Sequence, residues 1–202
     1  MRRESNTPGK YVGKWQRQVK HWSIIGILAP LLIMIFGSTT LTAYAATGDW
    51  PTYLSDNGRS GYNSSETIIN PGNAGKLILH WTHTAAGAIS TQPVEANNLI
   101  YWGSWDAGNE HATNLSNAHV WTNQLGTTTD TSCNPVSVGV ASTSTVASIN
   151  GRSMLFVGGG NAHFYALDAL TGKIIWNTSL GSSPSHFIWS SPAIYNGSVY
   201  IG

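Results

Sequence analysis

Residues Phe164 to Trp176 read FYALDALTGKIIW, and no other stretch limits the fold of this chain so tightly. Phe164, Ala166 and Asp168 alternate with Tyr165 and Leu167, which is the period of a strand. Thr171-Gly172-Lys173 predicts a turn, because glycine adopts positive φ without steric penalty. Ile174-Ile175-Trp176 then starts a second strand, rich in β-branched and aromatic residues.

Self-comparison finds three related segments. The first runs from Ile89-Ser90-Thr91-Gln92-Pro93 through Asn97-Asn98 to Tyr101-Trp102-Gly103. The second runs from Ala141-Ser142-Thr143 through Asn150-Gly151 to Val157-Gly158, and the third from Trp189-Ser190-Ser191-Pro192 through Asn196-Gly197 to Ile201-Gly202. Each reads as strand, Asn-containing turn, strand, Gly, and Asn-Gly is hairpin chemistry. The closing glycines are 55 and 44 residues apart, around the period of a propeller blade. Each repeat offers a third strand, near Glu110 to Thr113 and Phe164 to Asp168, and a fourth ending in Trp121 or Trp176. Trp81 ends an earlier fourth strand, Lys76 to Thr82. Four short antiparallel strands per unit predict an all-β propeller, with under three blades in this chain. A β-sandwich with accidental hairpin similarity is the plainer alternative. The ordered recurrence of Trp, Gly and Asn argues against it.

The pattern Ala166-x-Asp168-x-x-Thr171-Gly172-x-x-x-Trp176 resembles the tryptophan-docking repeat of the quinoprotein alcohol dehydrogenase-like propellers, built of PQQ-like repeats. In that family the Trp of one blade docks between neighbouring blades. Ala166, Asp168, Gly172, Trp176, Trp81 and Trp121 are therefore assigned as structural repeat residues. Asp49-Trp50-Pro51-Thr52-Tyr53, the Asp56 to Asn63 segment and the Ile69 to Trp81 segment look like the N-terminal lead-in of the same enzymes. The resemblance covers nearly everything from Asp49 to Gly202. It places a partial PQQ-like propeller over 46–202.

Composition bounds the remaining possibilities. Only 9% of residues are charged, which suits a turn-rich, all-β, extracytoplasmic chain. Nine Trp and eight Tyr argue against disorder. Six of the ten basic residues lie in the first twenty positions. From Ala46 onward four basic residues face eight acidic ones, a net of −4. That excludes nucleic acid as a partner, since binding it requires a basic surface.

Residues 1–45 read as a signal peptide or an N-terminal membrane anchor. The basic stretch precedes an apolar run from Ile24 to Phe36, and Ala43-Tyr44-Ala45 fits a signal-peptidase site. The run is short for a span of about 20 apolar residues. Extending it from Trp22 to Ala46 gives the anchor reading, in which this segment holds the protein to a membrane. Arg2-Arg3 is ordinary n-region charge. Either reading makes the protein exported, with its propeller outside or in the periplasm.

The resemblance also implies cofactor contacts, and the chain departs from them. Family members that bind pyrroloquinoline quinone (PQQ) carry a Glu three residues before the Pro of the first repeat; here it is Ser90, with Pro93 in place. They carry adjacent cysteines before a Gly-Val-Ala. Here Gly139-Val140-Ala141 is preceded by Ser132 and the single Cys133, which cannot form that disulfide. Val138 replaces an Arg that would hold a cofactor carboxylate. The family's calcium-binding Glu and Asn and its catalytic Asp match positions past Gly202. No catalytic, cofactor-binding or metal-binding residue is assigned here; PQQ and calcium are cofactors the resemblance implies for a full-length protein. An arc of this size is expected to be a fragment or part of an assembly, because propellers close with at least four blades.

Other candidates carry plainer readings. His111 and His163 each follow a Gly-Asn pair and read as blade-periodic surface residues before they read as metal ligands. Gly158-Gly159-Gly160-Asn161 precedes a strand, so it is a tight turn and not a phosphate cradle. Trp102 and Trp105 have faces suited to a sugar or quinone ring, with blade packing as the simpler role. Cys133 is expected to be buried, or paired with a cysteine outside this chain. The acceptor patterns at Asn63, Asn114, Asn177 and Asn196 are chance matches in an Asn-, Ser- and Thr-rich sequence.

Three functions remain open. One is a non-catalytic scaffold at the cell envelope with an envelope protein as partner, resembling the outer-membrane assembly propellers that share the repeat without the cofactor. Another is the N-terminal part of an alcohol-oxidising quinoprotein. The last is a degenerate piece with no independent role.

Overall fold

The computed structural model describes residues 48–85 and 87–202. The signal or anchor expected over residues 1–45 lies outside them. The described chain is all β apart from one 3-10 turn at Ala74–Lys76.

Two four-stranded antiparallel sheets follow in sequence. The first blade contains β1 (Val94–Ala96), β2 (Leu99–Gly103), β3 (Asn109–Asn114) and β4 (His119–Gln124), in that spatial order. A small two-stranded ladder, β5 (Thr128–Thr129) with β6 (Ser137–Val138), separates it from the second. The second blade contains β7 (Thr145–Ile149), β8 (Arg152–Gly158), β9 (His163–Asp168) and β10 (Ile174–Ser179). A final hairpin pairs β11 (Ala193–Tyr195) with β12 (Ser198–Tyr200). Two blades and a hairpin are the partial propeller that the repeats predict.

The recurring Asn residues set the hairpins. Asn97 and Asn98 have φ of 57° and 60°, Asn150 and Gly151 of 51° and 76°, Asn196 and Gly197 of 48° and 73°. Two consecutive left-handed residues define the type I′ turn, whose twist matches the strands it joins. All three hairpins share one register: Ala96 opposite Leu99, Ile149 opposite Arg152, Tyr195 opposite Ser198.

Packing explains why alternation is weak in the second blade. Leu155, Val157, Tyr165 and Leu167 join Tyr101, Ala112 and Trp121 in the seam against the first blade. Met154, Phe156, Phe164 and Ala166 join Ile188 in a separate core on the other face. Period two therefore sorts residues between two seams, not between core and water, and the strands read as apolar runs.

Three expectations need correction. No strand forms over Lys76–Thr82: these residues have no ladder partner among the described residues, and Ile78 is 89% exposed. Extended chain becomes strand only with a partner, which a local pattern does not reveal. Trp121 and Trp176 do not end their strands but are the third residues of β4 and β10. His111 and His163 are not equivalent. Both third strands have six residues, and His163 is first in β9 while His111 is third in β3.

Candidate functional site

The turn between the third and fourth strands is the best-defined local device. In the second blade, the Asp168 Oδ1 accepts from the Thr171 backbone N–H and hydroxyl at 2.9 and 2.7 Å, and Oδ2 accepts from Arg152 Nε at 2.8 Å. These bonds, the Thr171 hydroxyl first, hold the carboxyl below its ordinary range. Gly172 closes the turn with φ +71°, and a β-carbon there would lie 2.6 Å from the Trp121 ring. Trp121, 7% exposed, lies on this turn and donates its indole N–H to the Ala169 carbonyl at 2.9 Å. Asn123 Nδ2 donates to the Gly172 carbonyl beside it.

The same device recurs one blade earlier with different residues. Trp81 donates its indole N–H to the Leu115 carbonyl at 3.0 Å. Asn114 takes the place of Asp168, accepting from the Ser116 and Ala118 N–H groups, and Asn117 at φ 65° takes the place of Gly172. Trp81 thus docks without a strand around it. Trp176 is 41% exposed and lies beside Phe156 and Phe164. Ala112 and Ala166 sit across the ladder from Trp121 and Trp176, where a small side chain leaves room for an indole.

The segments leading into β1, β7 and β11 meet around a depression of about 370 Å³. Its walls include Ser90, Ala141 and Thr143, Trp189 to Ser191, and Tyr53 and Arg59 from the N-terminal loop. Hydroxyls stitch the segments together, which accounts for the Ser- and Thr-rich runs that open each repeat. Thr143 Oγ1 accepts from Gln92 N at 2.9 Å, Ser142 donates to the Ser190 carbonyl at 2.9 Å, and Thr145 to that of Pro192 at 2.7 Å. Arg59 locks the loop in place. Its guanidinium donates to Thr52 Oγ1 and the carbonyls of Tyr53, Ser191 and Pro192, at 2.8 to 3.1 Å. Trp189 is half exposed and packs at 5.0 Å from Trp105.

The remaining sequence candidates are dispersed. Trp102 is buried between His111, stacked at 3.9 Å, and His83. Burial first, then His83 and His119, pushes His111 down to about 4. His163, in the second blade, bonds Asn177 of the neighbouring strand β10, and no group of three metal-ligating side chains assembles among the described residues. Cys133 is a free, partly exposed thiol in the β5–β6 loop, not a buried one, and Ser132 donates to Asp130. Val138 is buried in β6. Sequence reasoning missed the β5–β6 ladder, Arg59 and Glu110. Glu110 alone left a trace: it is an acid on the alternation that carries Ala112.

The chain matches no family profile. It is 30% identical over 167 residues to the quinohemoprotein alcohol dehydrogenase of Comamonas testosteroni, covering 78% of this chain and 22% of that protein. The 1-butanol dehydrogenase (cytochrome c) of Thauera butanivorans is 27% identical over 187 residues, covering 88% of this chain and 26% of that protein. The crystal structure of the Comamonas protein superposes with a TM-score of 0.59 at 24% identity, over 80% of this chain and 24% of that one. The chain is similar to a stretch of quinoprotein alcohol dehydrogenases and shares the fold of their PQQ-like repeat propellers. It spans about a quarter of the length of the curated relatives it matches.

The depression of this PQQ-like chain can be tested against the superfamily's cofactor. PQQ is a planar polycarboxylate, and its recognition requires cations or free N–H donors. The depression contains one cation, and four oxygens already occupy it. Ser90 supplies no carboxylate, and Cys133 has no neighbouring cysteine. The residues present do not fit the group as the superfamily holds it.

Proposed function

We propose that these blades belong to an exported propeller that acts as a binding scaffold at the cell envelope, without PQQ chemistry. The observation that carries this reading is the lining of the depression. It combines exposed aromatic faces, Tyr53 and Trp189, with small hydroxyls, and its Arg59 is tied into the backbone. Such a surface suits recognition of a protein segment by stacking and hydrogen bonding. The net charge of −4 from Ala46 onward speaks against nucleic acid as the partner. Export rests on the basic, apolar and small-residue layout of residues 1–45, which reads as a cleaved signal or a retained anchor.

A second reading has its own support. Both curated relatives are alcohol dehydrogenases, and the identity extends along most of this chain. On that reading the blades form part of a PQQ- and calcium-dependent oxidoreductase whose catalytic groups come from residues past Gly202. Reconstitution tests the scaffold reading. The full chain mixed with PQQ and calcium is expected to show no quinone absorbance shift and no alcohol-dependent dye reduction. A shift with turnover would overturn the scaffold reading.

A further inference from the structure

One acid lies in the seam between the two blades. Glu110 is 0% exposed, in β3, opposite Gly103 on β2 and Asn123 on β4. That register puts it on the face of Tyr101, Ala112 and Trp121, which packs against the second blade. Its Oε1 accepts a hydrogen bond from the hydroxyl of Ser144, the residue before β7 of that blade. Its Oε2 has no partner among the described residues. The equivalent residue of the second blade is Phe164, second in its strand and opposite Gly158. That seam is apolar, with Phe164 among Phe156, Ala166 and Ile188. The first seam holds a carboxyl where the second holds a phenyl ring.

No counter-charge reaches this carboxyl. The salt bridge found among the described residues joins Arg152 to Asp168. On the facing surfaces the titratable groups are the phenols of Tyr101 from β2 and Tyr165 from β9, and His163 at the start of β9, which bonds Asn177. Asn123 of β4, Val146 of β7, and Leu155 and Val157 of β8 do not titrate. The segment Val140-Ala141-Ser142-Thr143-Ser144 carries only aliphatic and hydroxyl side chains. His111, the next residue of β3, lies on the opposite face against Trp102. An ionised carboxylate here would be desolvated with one hydrogen bond and no cation, whereas the neutral acid loses far less on burial. We propose that Glu110 is a proton-held latch: it sits between the first and second blades as a neutral acid, and loss of its proton loosens the seam. The latch does not depend on whether the propeller binds PQQ.

Burial pushes the group up to about 8, with the Ser144 bond acting in the opposite direction. Its ordinary value, 4.5, applies in the unfolded chain. Between these values the folded state holds a proton that the unfolded state releases. The stabilisation is therefore complete below 4.5 and is lost as pH rises through 8. His111 acts on the acid side of 6.5, so the window from pH 6.5 to 8 isolates Glu110. Urea unfolding of the full chain across that window should show the unfolding constant rising about 15-fold. Glu110→Gln should remove that rise, and an equal rise in both proteins would overturn the proposal. Infrared spectroscopy keeps the test independent of whether the variant folds. The folded wild-type chain at neutral pH should show a protonated-carboxyl stretch that disappears on unfolding; its absence from the folded chain would refute the latch. Ser144→Ala should move the titration to higher pH, and a downward move would contradict the assignment.

Discussion

Replacing Trp121 by Phe should destabilise the chain far more than the same change at Trp176. Trp121 is buried on the turn of the second blade, and its indole N–H is bonded to the Ala169 carbonyl at 2.9 Å. Phenylalanine keeps most of the ring but removes the donor. A buried carbonyl left without its partner costs about 1–3 kcal/mol. The part of the indole that Phe does not replace leaves a gap against Gly172, for about 1 kcal/mol more. The expected total is about 2–4 kcal/mol. Trp176 is 41% exposed, so its substitution should cost less than about 1 kcal/mol. Urea unfolding followed by far-ultraviolet circular dichroism avoids the fluorescence change that losing a Trp causes. Equal costs at the two sites would refute the claim that docking, and not burial of an aromatic ring in general, gives the motif its Trp.

Three further outcomes follow from the same geometry. Gly172→Ala should cost about 2–4 kcal/mol, because it adds a clash with Trp121 to a left-handed backbone, while Gly151→Ala at φ +76° in open space should cost about 1; thermal or urea melts compare them directly. In the Glu110→Gln background, stability should fall as pH drops from 6.5 to 5, because the unfolded chain takes up a proton that folded His111 refuses. His111→Asn should flatten that limb in acid-side urea melts. Arg59→Ala should release the N-terminal loop from Ser191 and Pro192, seen as faster amide hydrogen exchange over residues 50–61 with the second blade's protection unchanged.

The legible part of the fold was its turns. Asn150-Gly151 and Asn196-Gly197 state a type I′ hairpin locally, since few other residue pairs accept two left-handed conformations. Asp168, Thr171 and Gly172 likewise form one turn within five residues, so their spacing carries the geometry. What failed was non-local. Lys76–Thr82 has strand composition but no ladder partner, and nothing within it could show that. Asn97-Asn98 and the Asn114–Asn117 turn replace glycine or Asp-Thr-Gly chemistry with asparagine, which hides their equivalence. Residues at the depression were harder still. Arg59 and Trp189 lie 130 residues apart and meet only because the lead-in segments of successive blades converge. Glu110 looked like ordinary strand polarity, because burial on both faces of a blade is a property of stacking.

The most direct measurement on the scaffold account is a calorimetric titration of the full chain with PQQ in the presence of calcium. The account predicts no saturable heat, because Arg59 is engaged and Ser90 and the lone Cys133 offer no cofactor contact. Stoichiometric binding that Arg59→Ala or Trp189→Ala abolishes would contradict it and place the cofactor in the depression.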